Sequence, residues 1–186
     1  QYLNALHFGD AALGKFLDTE DGKSLLVVKD KSPDAKDQLM WKWAHGAATT
    51  FADFGNPLTS DAVRLCIYDG MPLTLVAGAI APPGGRCAGK VCWKAMSTKG
   101  YKYADKEGTP GGVQTMKLKA GDAGKPGISA KLKGELLGTP PLPLTGPVRV
   151  QLSSDGGTCF EAEYLPGAFV KNLADQFKAK GGAPAP

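Results

Sequence analysis

Three of the four cysteines in this chain sit inside short strand-like runs, Leu65-Cys66-Ile67-Tyr68, Val91-Cys92-Trp93-Lys94 and Thr158-Cys159-Phe160-Glu161. The fourth, Cys87, precedes Cys92 across a Gly-containing loop. An even count with no CxxC, no CxxCH and no neighbouring His pair suits disulfides made in an oxidising compartment better than zinc, haem or thiol catalysis. Soft-ligand metal sites want thiolates two residues apart, often with His, and the chain has only His7 and His45. The expectation is a chain stapled into short strands, with no metal and no cofactor.

What surrounds the cysteines extends that expectation to the whole fold. The 25 glycines and 14 prolines are scattered without period between apolar runs, the pattern of strands joined by tight turns. Strand-like runs cover residues 25–28, 38–44, 62–68, 73–80, 91–96, 101–104, 113–119, 128–133, 148–152 and 158–164, with a weaker run near 168–177. Gly, Pro, Asp or Ser bounds each of them. Residues 136–147 hold four prolines and read as a long crossover. About ten short strands with this punctuation predict an all-β, disulfide-stapled β-sandwich of the jelly-roll or immunoglobulin-like kind. The expected organisation is an N-terminal arm over residues 1–21, a sandwich over 22–180 and a linker-like tail over 181–186.

Charge narrows the partners. The formal net charge of +4 comes from nineteen lysines and three arginines, Arg64, Arg86 and Arg149, set against 18 acidic residues. Nucleic-acid sites favour Arg for its bidentate fork, whereas Lys on strands solvates a face and blunts an edge. The lysines therefore read as solvated surface and no nucleic acid is expected. No run approaches the roughly twenty apolar residues that cross a bilayer, so no membrane span is expected. Nor does the chain open on a signal peptide, which leaves Gln1 either a mature N-terminus or a boundary.

Strand phase suggests how the cysteines pair. Cys66 alternates with Val63, Leu65 and Ile67 out of phase, and Cys159 does the same with Phe160, Ala162 and Tyr164, so both belong to the more polar face. Of the three connectivities four cysteines allow, the expected one is Cys66 to Cys159 and Cys87 to Cys92, the second pinning a hairpin tip.

Two features are candidates for contact. Leu39, Trp41 and Trp43 share one side of their strand. Taken alone, that side is the core. A faint internal echo argues otherwise. Residues 29–42 resemble residues 105–118 as strand, Asp-Lys, a Pro-containing turn and a strand with Gln-x-Met, and aligning Met40 with Met116 turns Trp41 and Trp43 outward. Outward tryptophans would form an interface patch or a platform for sugar rings. The apolar N-terminal residues Leu3, Leu6, Phe8, Leu13 and Phe16 either pack on the domain's own core or dock on a neighbouring copy as an added strand. Their spacing half fits a helix but is interrupted by Gly9 and Gly14.

Catalysis has little to build on. There is no GxSxG, HExxH, P-loop or GxGxxG, and the acidic clusters Asp18, Glu20, Asp21 and Asp30, Asp34, Asp37 lie in turn-like stretches where Asp bonds its own backbone. Cys92-Trp93-Lys94-Ala95 leading to Gly100-Tyr101-Lys102-Tyr103, Pro147-Val148-Arg149-Val150-Gln151-Leu152, Cys159-Phe160-Glu161-Ala162 and Phe177-Lys178-Ala179-Lys180 resemble an uncharacterised family of secreted bacterial domains over residues 22–186. That resemblance implies export and a β fold, and it supplies no functional residues. The functional expectation is a non-enzymatic, extracellular or cell-surface structural protein that contacts copies of itself or another extracellular protein, as in a filament. The alternative is a carbohydrate-binding module with a glycan as partner.

Overall fold

The computed structural model describes residues 15–17 and 23–181, and over them the chain is all-β. Fifteen strands are present among the described residues: β1 Lys15–Leu17, β2 Ser24–Lys29, β3 Gln38–Ala44, β4 Val63–Asp69, β5 Thr74–Ala81, β6 Arg86–Cys87, β7 Lys90–Val91, β8 Trp93–Ala95, β9 Gly100–Ala104, β10 Val113–Lys119, β11 Gly127–Lys133, β12 Val148–Ser154, β13 Thr158–Tyr164, β14 Phe169–Leu173 and β15 Gln176–Gly181. They form a five-stranded sheet ordered β1-β13-β12-β4-β5, an eight-stranded sheet ordered β14-β15-β2-β3-β11-β10-β9-β8, and a small β6-β7 ribbon.

Alternation decides which face of each strand goes inward. β2 buries Leu26 and Val28, β3 buries Leu39, Trp41 and Trp43, and β11 buries Ile128, Ala130 and Leu132. Val63, Leu65 and Ile67 of β4 and Val148, Val150 and Leu152 of β12 belong to the same core cluster as these residues. The sandwich expected from the sequence is what forms, and residues 134–147 make the crossover from β11 in one sheet to β12 in the other. Two strand runs are finer-grained than expected. Residues 91–96 split around Cys92 into β7 and β8, and residues 168–177 become the β14-β15 hairpin.

Trp41 and Trp43 face inward, which corrects the outward reading drawn from the echo. They are 0% and 1% exposed. Their indole N–H groups bind the two sheets together, Trp41 Nε1 donating to Tyr164 Oη at 3.2 Å and Trp43 Nε1 to the Glu161 carbonyl at 3.1 Å. Trp43 meets Phe160 edge-on with centroids 5.4 Å apart. A Cβ on Gly46 would collide with the Trp43 ring, so only glycine lets the chain pass there. Burying each indole removes roughly 150–250 Å² from water, worth about 4–6 kcal/mol before the entropy of ordering is subtracted.

Both copies of the echo fall within one sheet. Its hairpins are β2-β3 and β9-β10, closed by loops 30–37 and 105–112 of equal length, and they flank β11. In each loop an Asp caps backbone N–H groups: Asp37 accepts from Lys31, and Asp105 from Glu107 and Thr109. The face assignment failed because β10 has a register shift between Val113 and Thr115, which moves its later residues by one. Met116 pairs with Ala130, the partner of Trp41 on the other side of β11, so Met116 corresponds to Trp41 and not to Met40.

The cysteine framework is half as expected. Cys87 and Cys92 form a disulfide with Cα atoms 5.1 Å apart. Cys66 and Cys159 are both buried and are not joined in a disulfide, which corrects the second expected pairing. They do share a face, but β12 runs between their strands, so two strand spacings of about 4.8 Å separate them. That exceeds the roughly 7 Å within which Cα atoms must lie for a disulfide.

Candidate functional site

Of the residues singled out for contact, Leu3, Leu6, Phe8 and Leu13 lie outside the described residues. Phe16 lies in β1 at the register position of Cys159. β1 pairs in parallel with β13 at the edge of the five-stranded sheet, and Leu17 is buried in the core. Part of the expected arm is thus a strand of the sandwich. Trp41 and Trp43 are spent on the core, so no tryptophan platform for sugar rings exists at that strand.

The outer face of the five-stranded sheet is polar and buried. Register brings Tyr68, Arg149 and Glu163 into one row, Cys66, Gln151 and Glu161 into the next, and Arg64, Ser153 and Cys159 into a third. Arg149 Nε and Nη2 donate to Glu163 Oε2 at 3.1 and 2.6 Å, and Gln151 Nε2 donates to Glu161 Oε2 at 2.6 Å. Arg64 pairs with Asp155 beyond the row's end. Burial pushes the Tyr68 phenol well above its ordinary range, with the neighbouring Cys66 thiol adding to the effect. Burial likewise raises the Cys66 thiol, which a hydrogen bond with Tyr68 and the Arg64 charge only partly offset. Cys66 also lines a cleft of about 370 Å³ with Arg64, Leu75 and Ile80. A thiol raised in this way lacks the lowered pKa that activates a cysteine nucleophile.

The other carboxylates mostly hold backbone. Asp69 accepts from Thr145 and Gly146, Asp61 from Asn56 and Asp53 from Thr50. His45 is exposed on a loop after β3. Among the described residues no group of three or more His, Cys, Asp or Glu side chains converges on a point that could hold a metal.

The outer face of the eight-stranded sheet has the opposite character. Its strands contain eleven of the nineteen lysines and no Asp, Glu or Arg. At its β8-β9 end a cleft of about 260 Å³ lies against the Cys87–Cys92 disulfide, lined by Lys90, Lys94, Lys102 and Lys106 with no carboxylate. Lys94 and Lys102 are outward residues of β8 and β9, but their convergence with Lys90 and Lys106 depends on strand order. Such a surface attracts anions. Compared with protein-family models, curated proteins and solved structures, the chain matches none of them.

Proposed function

We propose that this chain is a non-enzymatic structural protein of the cell exterior that associates with copies of itself through its N-terminal segment. One observation carries the reading: β1 is a three-residue strand added in parallel to β13 at a sheet edge, with no hairpin tying the two together. A short edge strand paired in this way can be supplied by its own chain or by a neighbour, and head-to-tail exchange of that kind grows open assemblies. The Cys87–Cys92 disulfide supports maturation in an oxidising compartment. The carboxylates engaged with backbone donors support action by contact instead of chemistry.

Light scattering coupled to size-exclusion chromatography tests this over a range of protein concentrations. The expected result is a mass that grows with concentration and collapses to a monomer in Leu17→Pro, whose missing N–H and fixed φ oppose strand addition. A monomer at every concentration, or assembly indifferent to Leu17→Pro in a variant with native circular dichroism, would reject the reading.

A further inference from the structure

The lysines of the eight-stranded sheet are lined up by register. Lys94 is opposite Lys102, and Lys102 is opposite Lys117. The same row continues through Ser129, Lys42 and Leu25 to Lys180. Strands are about 4.8 Å apart, so three ammonium-bearing side chains arise side by side at one end, and the whole row extends roughly 30 Å. In the next row Lys178 is opposite Lys171.

Like charges directly across an antiparallel pair are destabilising, and a face that only needs solvation ordinarily mixes signs. Here no lysine of the row has a carboxylate within ion-pair distance among the described residues. With a net charge of only +4, the acids that balance these lysines have been placed elsewhere. The row opens into the 260 Å³ cleft through Lys94 and Lys102, where Lys90 and Lys106 complete a ring of four cations. The Cys87–Cys92 bridge fixes the ribbon that carries Lys90. A concavity lined by one sign of charge concentrates the field that draws in a counter-ion.

The shape of this charge selects its partner. A straight row suits a linear polyanion better than a compact one. Nucleic acid is disfavoured because no Arg and no outward aromatic side chain lies on these strands, which removes both the bidentate phosphate fork and base stacking. We propose that the lysine row and its cleft bind an acidic polysaccharide, a glycan carrying carboxylate or sulfate groups along its length. Its anionic groups pair with Lys94, Lys102 and Lys117, and one group enters the cleft. This site is separate from β1 and does not depend on self-association.

The test uses the full chain and polygalacturonate as the probe, with binding followed by calorimetry. Binding is expected at low salt and should weaken about tenfold or more as salt rises from about 50 to about 200 mM. The triple variant Lys94→Glu/Lys102→Glu/Lys117→Glu should lose about tenfold or more in affinity. Its control, Lys31→Glu/Lys36→Glu/Lys125→Glu, makes the same change in net charge away from the row and should bind within about twofold of wild type. All of these lysines but the half-buried Lys31 are exposed, and thermal denaturation of each variant confirms a folded protein. Absence of binding to polygalacturonate at low salt, equal loss in both triple variants, or tighter binding to single-stranded DNA or to anionic vesicles would each overturn the proposal.

Discussion

The two outer faces of this sandwich handle charge in opposite ways. On the five-stranded sheet Arg149 and Glu163 are each 8% exposed, and every charge in the grid has a partner. On the eight-stranded sheet Lys94, Lys102 and Lys117 stand in solvent beside one another, with no ion-pair partner among the described residues. The difference follows from desolvation. A charge taken out of water costs several kcal/mol unless it is paired and hydrogen-bonded, so the buried face cannot tolerate a single sign. A solvated ammonium keeps most of its hydration, so repulsion between neighbours costs only tenths of a kcal/mol and can be retained where a partner relieves it.

The largest expected effect lies on the buried side. Glu163→Ala leaves the Arg149 guanidinium buried without its carboxylate and should lower stability by about 3–5 kcal/mol in urea denaturation. A loss below about 1 kcal/mol would mean that this face is wetter than the comparison requires. Replacing both partners sharpens the point. Arg149→Met/Glu163→Leu should recover most of that loss, because an apolar pair leaves no orphaned charge. A double variant as unstable as Glu163→Ala would show that the pair supplies more than mutual neutralisation.

Alkaline pH probes the buried phenols. Burial holds Tyr68 above its ordinary range and pushes Tyr164 up to about 12, while both ionise near 10 in the unfolded chain. Their folded values are raised, so their contribution is fully present below pH 10 and is lost as pH climbs from there towards 12. Urea midpoints should fall over that window, and Tyr68→Phe should make the fall shallower. An unchanged slope would place Tyr68 in contact with water.

The smallest effect has the opposite sign. Lys102→Glu puts a carboxylate between Lys94 and Lys117 and should raise stability by about 0.2–1 kcal/mol, read as a higher melting temperature. A destabilised variant would contradict the claim that the lysine row is held against its own repulsion.

Much of the fold could be read from local pattern, because alternation and turn residues are local. β3, β10 and β13 begin and end where the sequence places them, and the Cys87–Cys92 staple follows from a short loop. What could not be read was lateral order. Cys66 and Cys159 share a face, but nothing in residues 62–68 or 158–164 reveals that β12 lies between them. The same blindness hid the lysine row, whose members come from strands spread over residues 42 to 180. The echo gives the wrong phase for Trp41 and Trp43 because the residues of the β10 register shift, Val113-Gln114-Thr115, look like ordinary strand. The β14-β15 hairpin ran together as one weak strand for a similar reason, since its Ala174-Asp175 turn lacks Gly and Pro.

The most direct test of the contrast between the two faces is a lysine-acetylation footprint read by mass spectrometry, with and without polygalacturonate. In the free protein Lys94, Lys102 and Lys117 should react readily, and the glycan should protect them while Lys31 and Lys125 continue to react. Protection spread evenly over all lysines, or none at the row under conditions where polygalacturonate is bound, would contradict the account.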